Sequence, residues 1–167
     1  MKIFGIAGWS GGGKTTLVCR LLSEFVGRGL RISTIKRAHH GFDLDKPGKD
    51  SYEHRKAGAT EVMVTSGARW ALMHELGGAP EATLEELIAR MTPIDLLLVE
   101  GFKHYPIDKI EVYRAENGKP VLANDDPRVV AVASNTALDG LRVPILDLDD
   151  VVRIADFIVD HCRIEAA

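Results

Sequence analysis

Gly8, Gly13, Lys14 and Thr15 stand at the spacing G-x-x-x-x-G-K-[ST]. A glycine-rich turn of this kind points successive backbone N–H groups at one anion, and a helix opening at its end adds partial positive charge. The lysine of such a turn reaches the terminal phosphates, and the hydroxyl after it binds Mg²⁺. The whole stretch reads Gly8-Trp9-Ser10-Gly11-Gly12-Gly13-Lys14-Thr15-Thr16. Gly11, Gly12, Gly13, Lys14, Thr15 and Thr16 are therefore the expected phosphate contacts, with Lys14 also the catalytic cation and Thr15 a metal ligand. The implied chemistry is that of a nucleoside triphosphate with magnesium.

Such a site needs a carboxylate at the end of a neighbouring buried strand. Ile94-Asp95-Leu96-Leu97-Leu98-Val99-Glu100-Gly101 offers two. Ligands of open α/β sheets bind at the carboxyl ends of the strands. Glu100 stands at that end, whereas Asp95 lies about 17 Å away at ~3.3 Å per residue. Glu100 is thus the expected metal acid and Asp95 a capping or solvent-facing group, with Gly101 turning the chain beside the phosphates. Lys103 and His104 follow and are candidates for phosphate or an anionic substrate.

Residues 36–55 form a polar segment with the charge and placement of a substrate or switch loop. Asp43, Asp45 and Asp50 are candidates to bind magnesium or orient water, with Asp43 and Asp45 as candidate catalytic groups. Lys36, Arg37, Lys49 and Arg55 are candidates to meet anionic oxygens, Lys49 and Asp50 being counted with the ligand-binding residues. The pair His39-His40 suits a structural or phosphate-contacting role better than a metal site, because adjacent residues do not share a face.

The elements that must hold these residues follow from hydrophobic periodicity. Ile3–Ala7 reads as the strand before the glycine turn. Leu17, Val18, Leu21, Leu22, Phe25 and Val26 mark the helix after it. Strands are expected at 31–35, 61–65, 69–74, 96–99 and 129–133, and the 61–65 and 69–74 pair suggests a tight turn at Ser66-Gly67. Asp50 with Glu53 and Thr83 with Glu86 resemble capping boxes opening two helices. Lys109–Tyr113 alternates polar and apolar, which predicts a half-exposed edge or hairpin strand and, with the hairpin near Arg69, a means of joining two subunits. Asp149 or Asp150 is expected to cap a last helix whose inner face carries Val151, Val152, Ala155, Ile158, Val159 and Cys162. The alternation gives a three-layer α/β P-loop NTPase domain, a mostly parallel sheet with helices on both faces, spanning 1–167 as one domain.

Composition adds bounds. A net charge of −3 argues against a general nucleic-acid binder. No apolar run approaches the ~20 residues that cross a membrane, and no signal peptide is expected ahead of the first strand. Cys19 and Cys162 are distant in sequence and read as reduced thiols of a cytoplasmic protein. The guanine motif N-K-x-D is absent, so base specificity falls to other groups, with Asn124-Asp125-Asp126 and Ser134-Asn135 as candidates.

Together the stretches GWSGGGKTT, HHGFDLDKPGKDSYEHRKAGA and DLLLVEGFKH resemble the MobB family of molybdopterin-guanine dinucleotide biosynthesis proteins. The resemblance spans roughly residues 1–115. It implies a GTP-binding homodimer with weak GTPase activity, more adaptor than stand-alone catalyst. Its implied partner is a MobA-type guanylyltransferase that joins GMP to molybdopterin, giving the dinucleotide form of the molybdenum cofactor. GTP and Mg²⁺ are the implied ligands, with molybdopterin a further one. Slow turnover also fits the residues: a positioned arginine contributes about 10³–10⁵ in rate, and no motif fixes one, Arg37 and Arg69 being candidates. Two other readings of the residues stay open: a P-loop small-molecule kinase with Asp43 or Asp45 as base, and a nickel-type metallochaperone GTPase using the histidines.

Overall fold

A computed structural model describes residues 1–38 and 41–165. His39 and His40 lie outside the described residues. Along the chain run β1 (Lys2–Ala7), α1 (Lys14–Gly27), β2 (Ile32–Lys36), α2 (Asp50–Lys56), β3 (Glu61–Thr65), β4 (Trp70–His74) and α3 (Leu84–Ala89). Then follow β5 (Leu96–Glu100), β6 (Lys109–Tyr113), β7 (Val129–Ser134), β8 (Ile145–Asp147) and α4 (Val151–Cys162). The chain divides into two compact units, Met1–His39 with Pro93–Ala167, and His40–Thr92.

The first unit is built on a six-stranded sheet in the order β2-β5-β1-β6-β7-β8. Every neighbouring pair is parallel. All six carboxyl ends therefore open at one edge, the edge that carries the glycine turn after β1. α1 and α4 pack on each other and on one face of this sheet. Leu17, Leu21 and Phe25 of α1 and Ile154, Ala155 and Ile158 of α4 meet Phe4, Ile6, Leu98, Ile110 and Ala131. Each fully buried large side chain here contributes about 1.5–3 kcal/mol relative to exposure. Val26 and Val152, expected on the buried stripes, are 63% and 50% exposed, so those stripes are narrower than the spacing suggests. Asp150 caps α4, its side chain accepting from Arg153 N at 3.0 Å.

β6 corrects the expectation of an edge strand. It lies between β1 and β7 and is parallel to both. Its alternation separates two buried faces. Ile110 and Val112 enter the core, while Lys109 and Glu111 are 1% and 0% exposed on the other side. Lys109 Nζ donates to Lys103 O at 3.0 Å, Tyr105 O at 2.7 Å and Asp126 Oδ2 at 2.9 Å. The Glu111 carboxylate accepts Leu122 N at 2.9 Å and Ala123 N at 3.0 Å. Segments 103–105 and 122–126 thus cover this face. Lys109–Tyr113 has no open edge with which to extend a sheet between subunits. The short β8 escaped the sequence reading, because three residues carry too little pattern to show.

The second unit holds an antiparallel hairpin, β3 with β4. Ser66 closes its turn, Ser66 N donating to Arg69 O at 2.9 Å. The Thr83–Glu86 capping box is formed in both directions, at 3.2 and 2.8 Å. The expected box at Asp50 and Glu53 is not. Lys49 stands at that helix start, and Glu53 instead accepts Gly48 N at 3.3 Å.

Candidate functional site

The turn from β1 to α1 is fixed by what cannot fit there. Gly8 has φ +135°, and a Cβ on it would collide with the Val112 carbonyl of β6. Gly12 N donates to Trp9 O at 3.2 Å, closing the loop. α1 begins without a side-chain cap. Its first N–H groups are left for an anion, which a helix start favours. Lys14 Nζ donates to Trp9 O at 2.9 Å. Burial pushes the Lys14 ammonium below its usual range; nearby Glu100 opposes this, while Lys36 and Lys103 reinforce it. The site therefore carries more positive charge than it neutralises by itself.

Glu100 lies at the end of β5, in register with Ile6 of β1 and Lys36 of β2. It is 8% exposed. Thr15 Oγ1 donates to Glu100 Oε1 at 3.2 Å. Lys36 Nζ sits 3.1 Å from the same hydroxyl and 3.3 Å from the same carboxylate oxygen. A hydroxyl and a carboxylate thus converge on one cation, here an ammonium. This oxygen donor set also fits the hard ion Mg²⁺. Asp95, at the opposite end of β5, is taken up by Arg31, with its carboxylate 3.0 Å from the guanidinium.

A hollow of about 600 Å³ opens above these groups, lined by the glycine loop, residues 36–38, and Glu100, Gly101 and Lys103. Gly101 has φ +91°, and a Cβ there would stand 2.8 Å from Arg37 O, so only glycine lets these two loops meet. Lys103 Nζ lies 3.9 Å from the centre of the Trp9 ring, whose Nε1 donates to Pro120 O at 2.8 Å. The structure therefore gathers Gly11, Gly12, Gly13, Lys14, Thr15, Thr16, Glu100 and Lys103 at one edge of the sheet.

Asp43, Asp45, Lys49 and Asp50 belong to the second unit. Arg55 ion-pairs with Asp43 at 2.7 Å and with Asp45 at 2.8 Å. Arg55's hydrogen bond holds the Asp45 carboxyl below the usual carboxylate range. So placed, Asp45 is a weak proton acceptor and a strong strut. Lys49 and Asp50 are exposed where α2 begins.

Of the base-reading candidates, Asp126 is committed to Lys109 at 2.9 Å. Asn135 Nδ2 donates to Glu116 at 2.9 Å. Two residues were missed from the sequence, Arg114 and Asn117. A Cβ on Gly13 would lie 3.5 Å from Arg114 Nε, and one on Gly12 would lie 3.6 Å from Asn117 Nδ2. Only the interior position of β6 brings the residues after it to the glycine loop. Among the described residues no group of three His, Cys, Asp or Glu side chains is placed to hold a metal. Burial pushes the Cys162 thiol up to about 11, so it is unreactive near neutral pH.

A glycine loop at the carboxyl edge of a parallel sheet, with a lysine, a hydroxyl and a strand-end carboxylate around one hollow, defines a P-loop nucleotide-binding α/β domain. The family described as MobB, Molybdopterin guanine dinucleotide synthesis protein B, matches residues 3–135. The chain belongs to that family. It is 48% identical over 163 residues to the Molybdopterin-guanine dinucleotide biosynthesis adapter protein of Escherichia coli (strain K12), covering 96% of this chain and 93% of that one. The protein of the same name from Haemophilus influenzae is 43% identical over 161 residues, covering 95% and 88%. Among solved structures, Bacillus subtilis MobB matches with TM-score 0.76 at 26% identity, covering 99% of this chain and 100% of that one. A crystal structure of molybdopterin-guanine biosynthesis protein B matches with TM-score 0.73 at 27% identity, covering 95% and 99%. No described helix is long and apolar enough to cross a membrane.

Proposed function

We propose that this chain is a GTP-binding adapter in molybdopterin guanine dinucleotide biosynthesis, acting in the cytoplasm beside a MobA-type guanylyltransferase. The near full-length likeness to proteins named as adapters of that biosynthesis carries the reading. The site supports it in chemical detail. Gly11 to Thr16 would hold the phosphates, Lys14 the terminal ones, and Thr15 and Glu100 a Mg²⁺ ion. When bound, Mg²⁺ would neutralise charge on the phosphates. Lys36, which meets the Thr15–Glu100 pair, and Lys103 on the same hollow would offer further cations to the phosphates. Intrinsic hydrolysis would be slow, because the described groups around the hollow include no carboxylate besides Glu100 to position a water.

A homodimer is part of the proposal. One face of the β3–β4 hairpin exposes Met63 (60%), Trp70 (66%) and Leu72 (42%), an apolar surface of the kind a second copy covers. Lys49, Asp50 and Asp43 remain candidates for the substrate side, molybdopterin included. The test is equilibrium binding of GTP and ATP with Mg²⁺, together with turnover of each. The reading expects GTP to bind more tightly and to be hydrolysed slowly. A clear preference for ATP would overturn it.

A further inference from the structure

The glycine loop carries one large side chain, the half-buried indole of Trp9. The residue is fixed from two directions. Its Nε1 donates to Pro120 O at 2.8 Å, and its carbonyl accepts from Gly12 N at 3.2 Å and from Lys14 Nζ at 2.9 Å. Phosphate contacts in such a loop come from backbone amides and the lysine, and neither needs an indole.

What the ring holds is a cation. Lys103 Nζ lies 3.9 Å from its centre, and Lys119 Nζ 5.9 Å. An ammonium within about 6 Å of an aromatic face is attracted by the ring quadrupole, and indole attracts most. The Lys103 backbone is fixed as well, because its carbonyl accepts from the buried Lys109 Nζ at 3.0 Å. Both ends of a long flexible side chain are therefore tied, which removes rotamer freedom before any ligand arrives. The tied residue lines the hollow above Lys14, Thr15 and Glu100. Burial, and with it the charges of Lys36 and Lys103, pushes the Lys14 ammonium below its usual range against the pull of Glu100, so the Lys103 charge is felt at Lys14. An ammonium has three donors, and contact with a ring face leaves others for anionic oxygens. A second hollow of about 370 Å³ shares Trp9 and Lys103 with the first and is lined by Asp125 and Asp126. Without the ring, those carboxylates would draw the ammonium away from the first hollow.

We propose that Trp9 is a positioning residue: its indole face holds the Lys103 ammonium at the wall of the glycine-loop hollow, where it meets the phosphate chain of a bound nucleotide. This role presupposes the reading proposed above, that the hollow takes a nucleoside triphosphate. Trp9 acts through Lys103 and is not itself a phosphate contact by its side chain.

The test is calorimetric titration of the full-length protein with Mg²⁺ and GTP or ATP. Lys103→Met should bind triphosphate about 10-fold more weakly. Trp9→Leu keeps apolar bulk but has no ring, and should bind about 3- to 10-fold more weakly. Trp9→Phe keeps a ring face but cannot donate to Pro120 O, and should stay within about 2-fold of wild type. In a Lys103→Met background, Trp9→Leu should add less than about 2-fold, because the cation it positions is gone. Lys103 meets phosphate and not the base, so both nucleotides should lose affinity by the same factor. A ring that merely anchors the segment at Pro120 gives another pattern: Trp9→Phe as weak as Trp9→Leu, and an equal loss with or without Lys103. Either of those results, or unchanged affinity in Trp9→Leu or Lys103→Met, overturns the positioning role and leaves the GTP reading standing. Lys103→Met lies outside the glycine loop, so its result decides even where Trp9→Leu does not fold. The expected pattern with ATP the tighter ligand supports the role and overturns the GTP reading. Failure of the wild type to bind either nucleotide overturns both.

Discussion

Replacing Lys109 by methionine should destabilise the first unit by about 2–3 kcal/mol. Lys109 is 1% exposed and gives its three N–H groups to Lys103 O, Tyr105 O and Asp126. Methionine fills most of the volume and supplies none of these bonds. Removing one partner of a buried pair costs about 3–5 kcal/mol. The Asp126 side chain is 28% exposed, so water recovers part of that, leaving about 2–3 kcal/mol. At ~2–4 °C per kcal/mol for a chain of this size, Tm should fall by about 4–12 °C in calorimetry. Burial pushes the Asp126 carboxyl up, but the bonds from Lys109 and Arg128 N outweigh it and hold the group below its ordinary 3.8. A depressed carboxylate contributes stability above its unfolded value and loses it as pH falls through the folded value. The gap between wild type and Lys109→Met should therefore be complete at neutral pH and narrow below about pH 4. A double-mutant cycle with Asp126→Asn should show a coupling of about 0.5–3 kcal/mol. A Tm change under about 2 °C, or additive single and double variants, would refute the buried-strut reasoning.

Two further outcomes follow from the phosphate site. Lys14→Ala should lose triphosphate affinity by at least about 10-fold with stability changed by no more than about 0.5 kcal/mol, checked by titration beside a melt. In the wild type, phosphate favours the charged ammonium whose pKa burial lowers, so affinity should fall as pH rises toward 10.5, a limb absent from Lys14→Ala. Glu100→Gln should weaken the Mg²⁺ dependence of GTP binding by about 10-fold while leaving metal-free affinity nearly unchanged. Equal loss with and without Mg²⁺ would place Glu100 outside the metal's environment.

Much of the architecture was legible because the signals were local. The glycine loop announces itself by residue type, and the apolar run before Glu100 marks a strand buried on both faces. Parallel-sheet geometry then separates Glu100 from Asp95, and the structure puts Thr15 Oγ1 3.2 Å from the former. The Thr83–Glu86 cap and the Asp150 cap were legible for the same reason. What failed depended on distant partners. Alternation in Lys109–Tyr113 looks like exposure until Asp126 and the 122–123 amides arrive from elsewhere in the chain to satisfy Lys109 and Glu111. Arg114 carries no motif and becomes significant only once β6 is known to adjoin β1. Asp43 and Asp45 read as chemical groups, yet Arg55, ten and twelve residues on, ties both down.

Formation of the guanine dinucleotide is the most direct readout of the proposed adapter role. Purified guanylyltransferase, molybdopterin, GTP and Mg²⁺ should be combined with and without this protein, and the guanine dinucleotide formed should be quantified. The adapter reading predicts that wild type raises the yield or rate and that Lys14→Ala does not. Equal formation with and without the protein, or full stimulation by Lys14→Ala, would contradict it.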